Sequence, residues 1–218
     1  MNATLTILAT ATLALLAACS AMAQTADPAS DAPEGRSVGR TPLKDASSYE
    51  QALQLWRSAE DINAWIDAKF EYDVPRAIRL SETQRSGSAR FPIHSPQDFF
   101  ASPRGVCVDL SRFAVEALLV IDPKVRPAYL MIEFVPVTIA GNTLRLHWIA
   151  TFERDGKHYF FADSKRPGYI AGPYASTREF IVEYARYRSR EIVAFRELES
   201  YERKQRTLAT RQNGEERP

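Results

Sequence analysis

Ser102-Pro103-Arg104-Gly105-Val106-Cys107-Val108-Asp109-Leu110-Ser111-Arg112-Phe113-Ala114 is the stretch on which the fold turns. Proline and glycine break the chain ahead of the cysteine. Behind it Leu110, Phe113, Ala114, Ala117, Leu118 and Ile121 recur at helical spacing, until Asp122-Pro123 stops the run. The pattern predicts a largely buried helix with Cys107 in its first turn. That position leaves backbone N–H groups without intrahelical partners and carries partial positive charge, so a thiolate is favoured there over a thiol. An ordinary cysteine ionises near pH ~8.5, and a helix N-terminus can lower that value by more than about one unit. The same N–H groups can receive the oxyanion of a tetrahedral intermediate. Cysteines outside disulfides are also among the most buried and inert residues, so a catalytic reading requires a base.

Three histidines are candidates for that base. His94 precedes Ser95-Pro96 in a loop, and His158 follows the Asp155-Gly156 turn; both positions suit solvated side chains. His147 lies inside the apolar run Leu144-Arg145-Leu146-His147-Trp148-Ile149, where a half-buried imidazole needs a partner. Downstream of the cysteine helix the pattern becomes strands: Pro127 to Val135, Thr143 to Phe152 and Lys157 to Asp163. Reading Glu153-Arg154-Asp155-Gly156-Lys157 as a three-residue hairpin loop with a G1 bulge faces Glu153 with Lys157 and places His147 opposite Asp163. A carboxylate there would fix the tautomer and orientation of the imidazole. A two-residue Asp-Gly loop is also permitted, and it would set Asp163 across from Trp148 on the other face.

Upstream, Ser47 or Ser48 is suited to cap a helix through Ala52, Leu53 and Trp56. Asp61 is suited to cap another through Ile62, Trp65, Ile66 and Phe70. Ser81 to Pro92 reads as a surface loop. From about Thr177 to Arg206 the chain reads as helical, with Phe180, Ile181, Tyr184 and Tyr187 on one side. The mixed charge of that region suits a solvated amphipathic face.

The 218 residues suffice for one domain with a targeting segment, and 45% hydrophobic with 25% charged residues excludes wholesale disorder. A net charge of +1 argues against nucleic acid held by bulk electrostatics. Residues 1–23 read as a signal peptide: the run from Leu5 to Ala18 is apolar or small apart from threonines, and Ala21-Met22-Ala23 offers a cleavage site. Leu16-Ala17-Ala18-Cys19 equally resembles a lipobox, which would attach the chain to a membrane through Cys19. Either route exports the protein, to the periplasm or to the outer membrane as a lipoprotein. Residues 24–45 read as a flexible leader, 46–206 as one domain with C-terminal helices, and 207–218 as a disordered tail. Cys107 is then the one thiol of the mature chain.

Gly105-Val106-Cys107-Val108-Asp109, His147-Trp148 opening a strand and Asp163 closing the next together resemble the transglutaminase-like superfamily, in particular its bacterial cysteine peptidases. Ile62 to Tyr72 and Ser95-Pro96-Gln97-Asp98-Phe99-Phe100 are similar to the segments that precede the cysteine there. The resemblance implies a papain-like α+β fold, with a central cysteine-bearing helix packed on an antiparallel sheet. It implies Cys107 as nucleophile, His147 as general base and acid, and Asp163 as orienting acid. Some bacterial members flank the cysteine with acidic residues and bind calcium. Val106 and Val108 stand there in this chain, so no metal or other cofactor is expected. Asp109 matches the family's acid two residues after the cysteine, and a helix cap is the role expected of it.

The activity implied is amide hydrolysis, or transamidation, through a thioester, on a protein or peptide in the cell envelope. Two rivals are a non-catalytic binding module on the same fold and a structural zinc site. The zinc site would draw only three ligands from Cys107, His147 and Asp163.

Overall fold

The computed structural model describes residues 41–81, 91–139, 141–161 and 168–201. The targeting segment, most of the leader, most of the Ser81 to Pro92 loop, the C-terminal tail and Asp163 lie outside the described residues.

Ser48 caps the first helix, α1 (Tyr49–Leu55), its hydroxyl accepting from the Gln51 N–H at 3.2 Å. The second, α2 (Ala59–Lys69), begins earlier than the sequence suggests. Ser58 is its N-cap, and Asp61 lies inside the first turn, reaching back to the Arg57 N–H at 2.7 Å. A carboxylate at that position satisfies an exposed donor as a true N-cap would, which explains why the two are confused in sequence. The short strand β1 (Glu71–Tyr72) and helix α3 (Val74–Arg79) follow. After residues 82–90 come α4 (Pro96–Ala101), strand β2 (Arg104–Gly105) and the cysteine helix α5 (Cys107–Ile121). β1 and β2 pair in parallel, with Tyr72 opposite Gly105.

The remaining strands are β3 (Ala128–Ile139), β4 (Asn142–Arg154), β5 (Lys157–Phe161), β6 (Ile170–Tyr174) and β7 (Ile192–Leu198), with helix α6 (Thr177–Arg188) between the last two. They form a five-stranded sheet in the order β6-β5-β4-β3-β7, every neighbouring pair antiparallel.

Two expectations fail here. The C-terminal region is not helical throughout: α6 stops at Arg188, Ser189 turns left-handed at φ 48°, and β7 pairs with the outer side of β3, Phe195 opposite Ile132. Arg196 and Glu197 favour helix locally, but the open edge of β3 offers a full ladder and the β-branched pair Ile192-Val193 suits it. The hairpin between β4 and β5 is a two-residue turn, with Asp155 and Gly156 both at positive φ (51° and 70°). Arg154 therefore pairs with Lys157 and Glu153 with His158. Turns of this kind match the right-handed twist of the strands, and Asp-Gly supplies the two residues they need. The register thus does not pair Glu153 with Lys157.

The sheet separates two cores. Tyr129, Ala150, Phe152, Phe161 and Ile170 face α5 and the N-terminal helices, where Trp56, Trp65, Phe99 and Phe113 interlock. Leu130, Ile132, Phe134, Ile149, Phe160 and Ala171 face α6 through Phe180, Ile181 and Tyr184.

Candidate active site

The site begins with the backbone that delivers Cys107. The Asp73 N–H donates to the Gly105 carbonyl at 2.8 Å, which ties the start of α5 to the β1–α3 junction. Gly105 is required by crowding: a Cβ there would stand 2.9 Å from both the Asp109 Cβ and a Phe99 ring carbon. Val106, extended, is the N-cap, and Cys107 is the first helical residue, as its spacing predicts. Valine offers no capping oxygen. The Asp109 carboxylate instead turns back and accepts from the Val106 N–H at 3.0 Å, the acidic half of a capping box.

Asp109 does more than cap. It is 0% exposed and accepts Arg76 Nε on one oxygen and Nη2 on the other, both at 2.7 Å; the His94 N–H adds a bond at 3.0 Å. Arg76, from α3, is itself buried, and its Nη2 also donates to the Pro92 carbonyl at 2.6 Å. A buried ion pair is stable only when its remaining donors and acceptors are satisfied, and this one is densely bonded. Arg76 carries no signal in sequence, since it stands far upstream of Asp109.

Two tyrosines lie within electrostatic reach of Cys107. Tyr72 is placed by the β1–β2 pairing, and Tyr184 by α6. Burial, and secondarily the charge of the Cys107 sulfur, raises both hydroxyls above the ordinary tyrosine range. Both remain neutral O–H groups, able to donate to a developing negative charge.

His147 lies on β4, 9% exposed, paired in register with Ile132. Its ring stacks on Tyr184, centroids 6.2 Å apart and planes within 16°, and sits 6.4 Å from Phe134. It therefore shares the α6 face of the sheet with Ile149. Its neighbours Trp148 and Ala150 point to the other side, where with Leu110, Ala114 and Phe161 they line the seam against α5. Tyr184 is thus the group common to both sequence-identified residues: its hydroxyl feels Cys107 and its ring supports His147. Asp163 lies outside the described residues.

The other two histidines do not stack on Tyr184, and only the backbone of His94 joins the site, through Asp109. His158 Nδ1 is 3.4 Å from the Thr177 hydroxyl. His94 is half-buried, not solvated, with Nδ1 shielded and no hydrogen-bond partner among the described residues. Cys107 forms no disulfide. Among the described residues, no group of three or more His, Cys, Asp or Glu side chains is arranged to hold a metal ion.

A family model described as a transglutaminase-like domain matches residues 46–193. The chain belongs to the transglutaminase-like domain family. No curated protein matches it. Among solved structures, calcium-bound LapG of Legionella pneumophila is similar at 15% identity and a TM-score of 0.31, over 60% of this chain and 60% of that one. A second LapG structure from Legionella pneumophila gives 13% identity and a TM-score of 0.28, over 66% of this chain and 80% of that one. The chain thus spans less than two thirds of the first of these neighbours. In this transglutaminase-like chain the residues flanking Cys107 are Val106 and Val108, which offer no oxygen side chain to calcium. No helix of the described residues is long and apolar enough to cross a membrane.

Proposed function

We propose that this transglutaminase-like chain is an exported thiol-dependent acyl-transfer enzyme, acting as a cysteine peptidase or amidase on a protein or peptide in the cell envelope. The observation that carries the reading is the placement of Cys107 at the first position of α5, within electrostatic reach of the tyrosine on which His147 stacks. In this reading His147 takes the thiol proton, the thiolate attacks the amide carbon, and the C–N bond breaks as His147 returns the proton to the leaving amine. Water then resolves the thioester. Water is the default acceptor, because only a site that excludes it would reserve the acyl group for an amine. The neutral hydroxyls of Tyr72 and Tyr184 and the N–H groups of the helix start are suited to the oxyanion. The role of Asp163 as orienting acid rests on the family resemblance alone. Export rests on the sequence of residues 1–23.

Cys107→Ala is expected to abolish turnover of an amide substrate found by trapping envelope proteins with an electrophilic amide analogue, while leaving the fold intact. Full activity in that variant would overturn the proposal. Asp163→Asn is expected to reduce turnover strongly.

One observation favours a second reading, a non-catalytic module. His147 lies on the α6 face of the sheet, whereas the body of α5 packs on the opposite face. The rate of iodoacetamide labelling against pH separates the two. An activated Cys107 reacts well below the pH of an ordinary thiol, and a structural one hardly at all.

A further inference from the structure

The buried pair behind the cysteine has an electrostatic consequence. Asp109 stands two positions after Cys107 in the first turn of α5, and both side chains emerge where the helix is most electropositive. A carboxylate there strengthens the helix but opposes a second negative charge close by, and a thiolate is that charge. Without compensation the cap would undo the effect of the helix end. Compensation is present: the Arg76 guanidinium grips both carboxylate oxygens at 2.7 Å, its side chain 4% exposed, so the pair lies out of solvent and largely beyond screening by salt.

We propose that Arg76 is a positioning residue for the thiol. By neutralising Asp109 it lets one carboxylate cap α5 without suppressing ionisation of Cys107. This rests on the enzymatic reading above and adds to it a residue from a separate helix. Facing Cys107 are Tyr72 from β1 and Tyr184 from α6, both neutral; the Asp73 carboxylate bears on Tyr72 and accepts from the Arg76 N–H at 2.9 Å, the Arg188 guanidinium donates to the Tyr184 hydroxyl at 3.5 Å, His147 of β4 stacks on Tyr184, and the His94 backbone bonds Asp109. Among these groups Arg76 is the one lasting positive charge that touches the cap. Burial pulls Arg190 down; its guanidinium lies 4.2 Å from the Phe134 ring centroid and donates to the Val135 carbonyl at 3.1 Å, not to Asp109.

The test is the pH midpoint of Cys107 ionisation in the full chain, read from iodoacetamide labelling and from the ultraviolet absorbance of the thiolate, with near-ultraviolet circular dichroism to confirm folding. Arg76→Met is expected to raise the midpoint by about one pH unit, the effect of one uncompensated like charge nearby. Asp109→Asn, which keeps an oxygen for the Val106 N–H, is expected to lower it. The neutral double variant should return close to the wild type. Arg76→Lys keeps the charge with less disturbance and should keep the midpoint. Shifts of the same sign in the two single variants, unchanged midpoints, or an Arg76→Lys midpoint risen to that of an ordinary thiol would each overturn the proposal. A wild-type Cys107 that titrates as an ordinary thiol counts against the enzymatic reading alone, since the opposite signs expected of the two variants can still be measured.

Discussion

At the scale of single residues, Gly105 shows how little room the start of α5 allows. Its backbone is paired with Tyr72 while Asp109 folds back over it. Gly105→Ala would force a methyl group into contact with Phe99 and Asp109, and overpacking of this kind costs about 1–3 kcal/mol. Chemical denaturation should show that loss. A variant as stable as the wild type would mean that the helix start is looser than the distances indicate. The residues that make this turn were legible in sequence to different degrees. Cys107 and Asp109 stand in one short motif with helical spacing behind it, so both position and capping role could be read. Arg76 and Tyr72 could not, because nothing local marks a side chain whose partner lies on another element. His147 was legible as a residue of an apolar strand, but its stacking on Tyr184 depends on which face of the sheet α6 covers.

Among the elements, the hairpin and the C-terminal strand show where local pattern stops being sufficient. Asp155-Gly156 suits either of two turns, and the twist of the sheet decides between them. The expectation that sets Glu153 opposite Lys157 rested on the three-residue turn, and the two-residue turn is the one formed. Likewise Arg196 and Glu197 carry a helix-like composition into an edge strand. One further tie between elements has a pH signature. Glu60 of α2 accepts from Arg154 of β4 at 2.8 and 3.1 Å. Burial pushes the Glu60 carboxyl up, but bonds from Arg154, its own backbone and Ser58 outweigh that and leave it below the usual value. A carboxyl depressed in the folded state contributes stability that is present above its unfolded value and lost as pH falls through the folded one. The pair is partly exposed, so its contribution is about 1 kcal/mol or less. Glu60→Gln is expected to flatten the acid-side decline of the denaturation midpoint relative to wild type. An unchanged slope would remove this pair from the acid response.

For the molecule as a whole, the sheet is shared between two cores, one on each of its faces. Phe113 fills the α5 side and Phe180 the α6 side, both fully buried. Truncating either to alanine should cost about 3–5 kcal/mol. Because β4 serves both cores, both variants should lower the midpoint of one common transition. Separate transitions by fluorescence and circular dichroism would show that the halves unfold independently. The α+β class with an antiparallel sheet was visible from the sequence, since the change from helical to alternating periodicity falls at Pro127. The second core was not, because β6 holds a glycine and a proline that obscure a strand and β7 resembles a helix.

The anchoring around residues 82–90 has a bearing on how this scaffold could diversify. On one side the Ser81 hydroxyl meets Asn142 at 3.3 Å; on the other, Pro92 and His94 are fastened to Arg76 and Asp109. With both shores moored, doubling the span between them would add only about 0.6 kcal/mol of closure entropy. New sequence could be spliced in at that point without pulling on the sulfur.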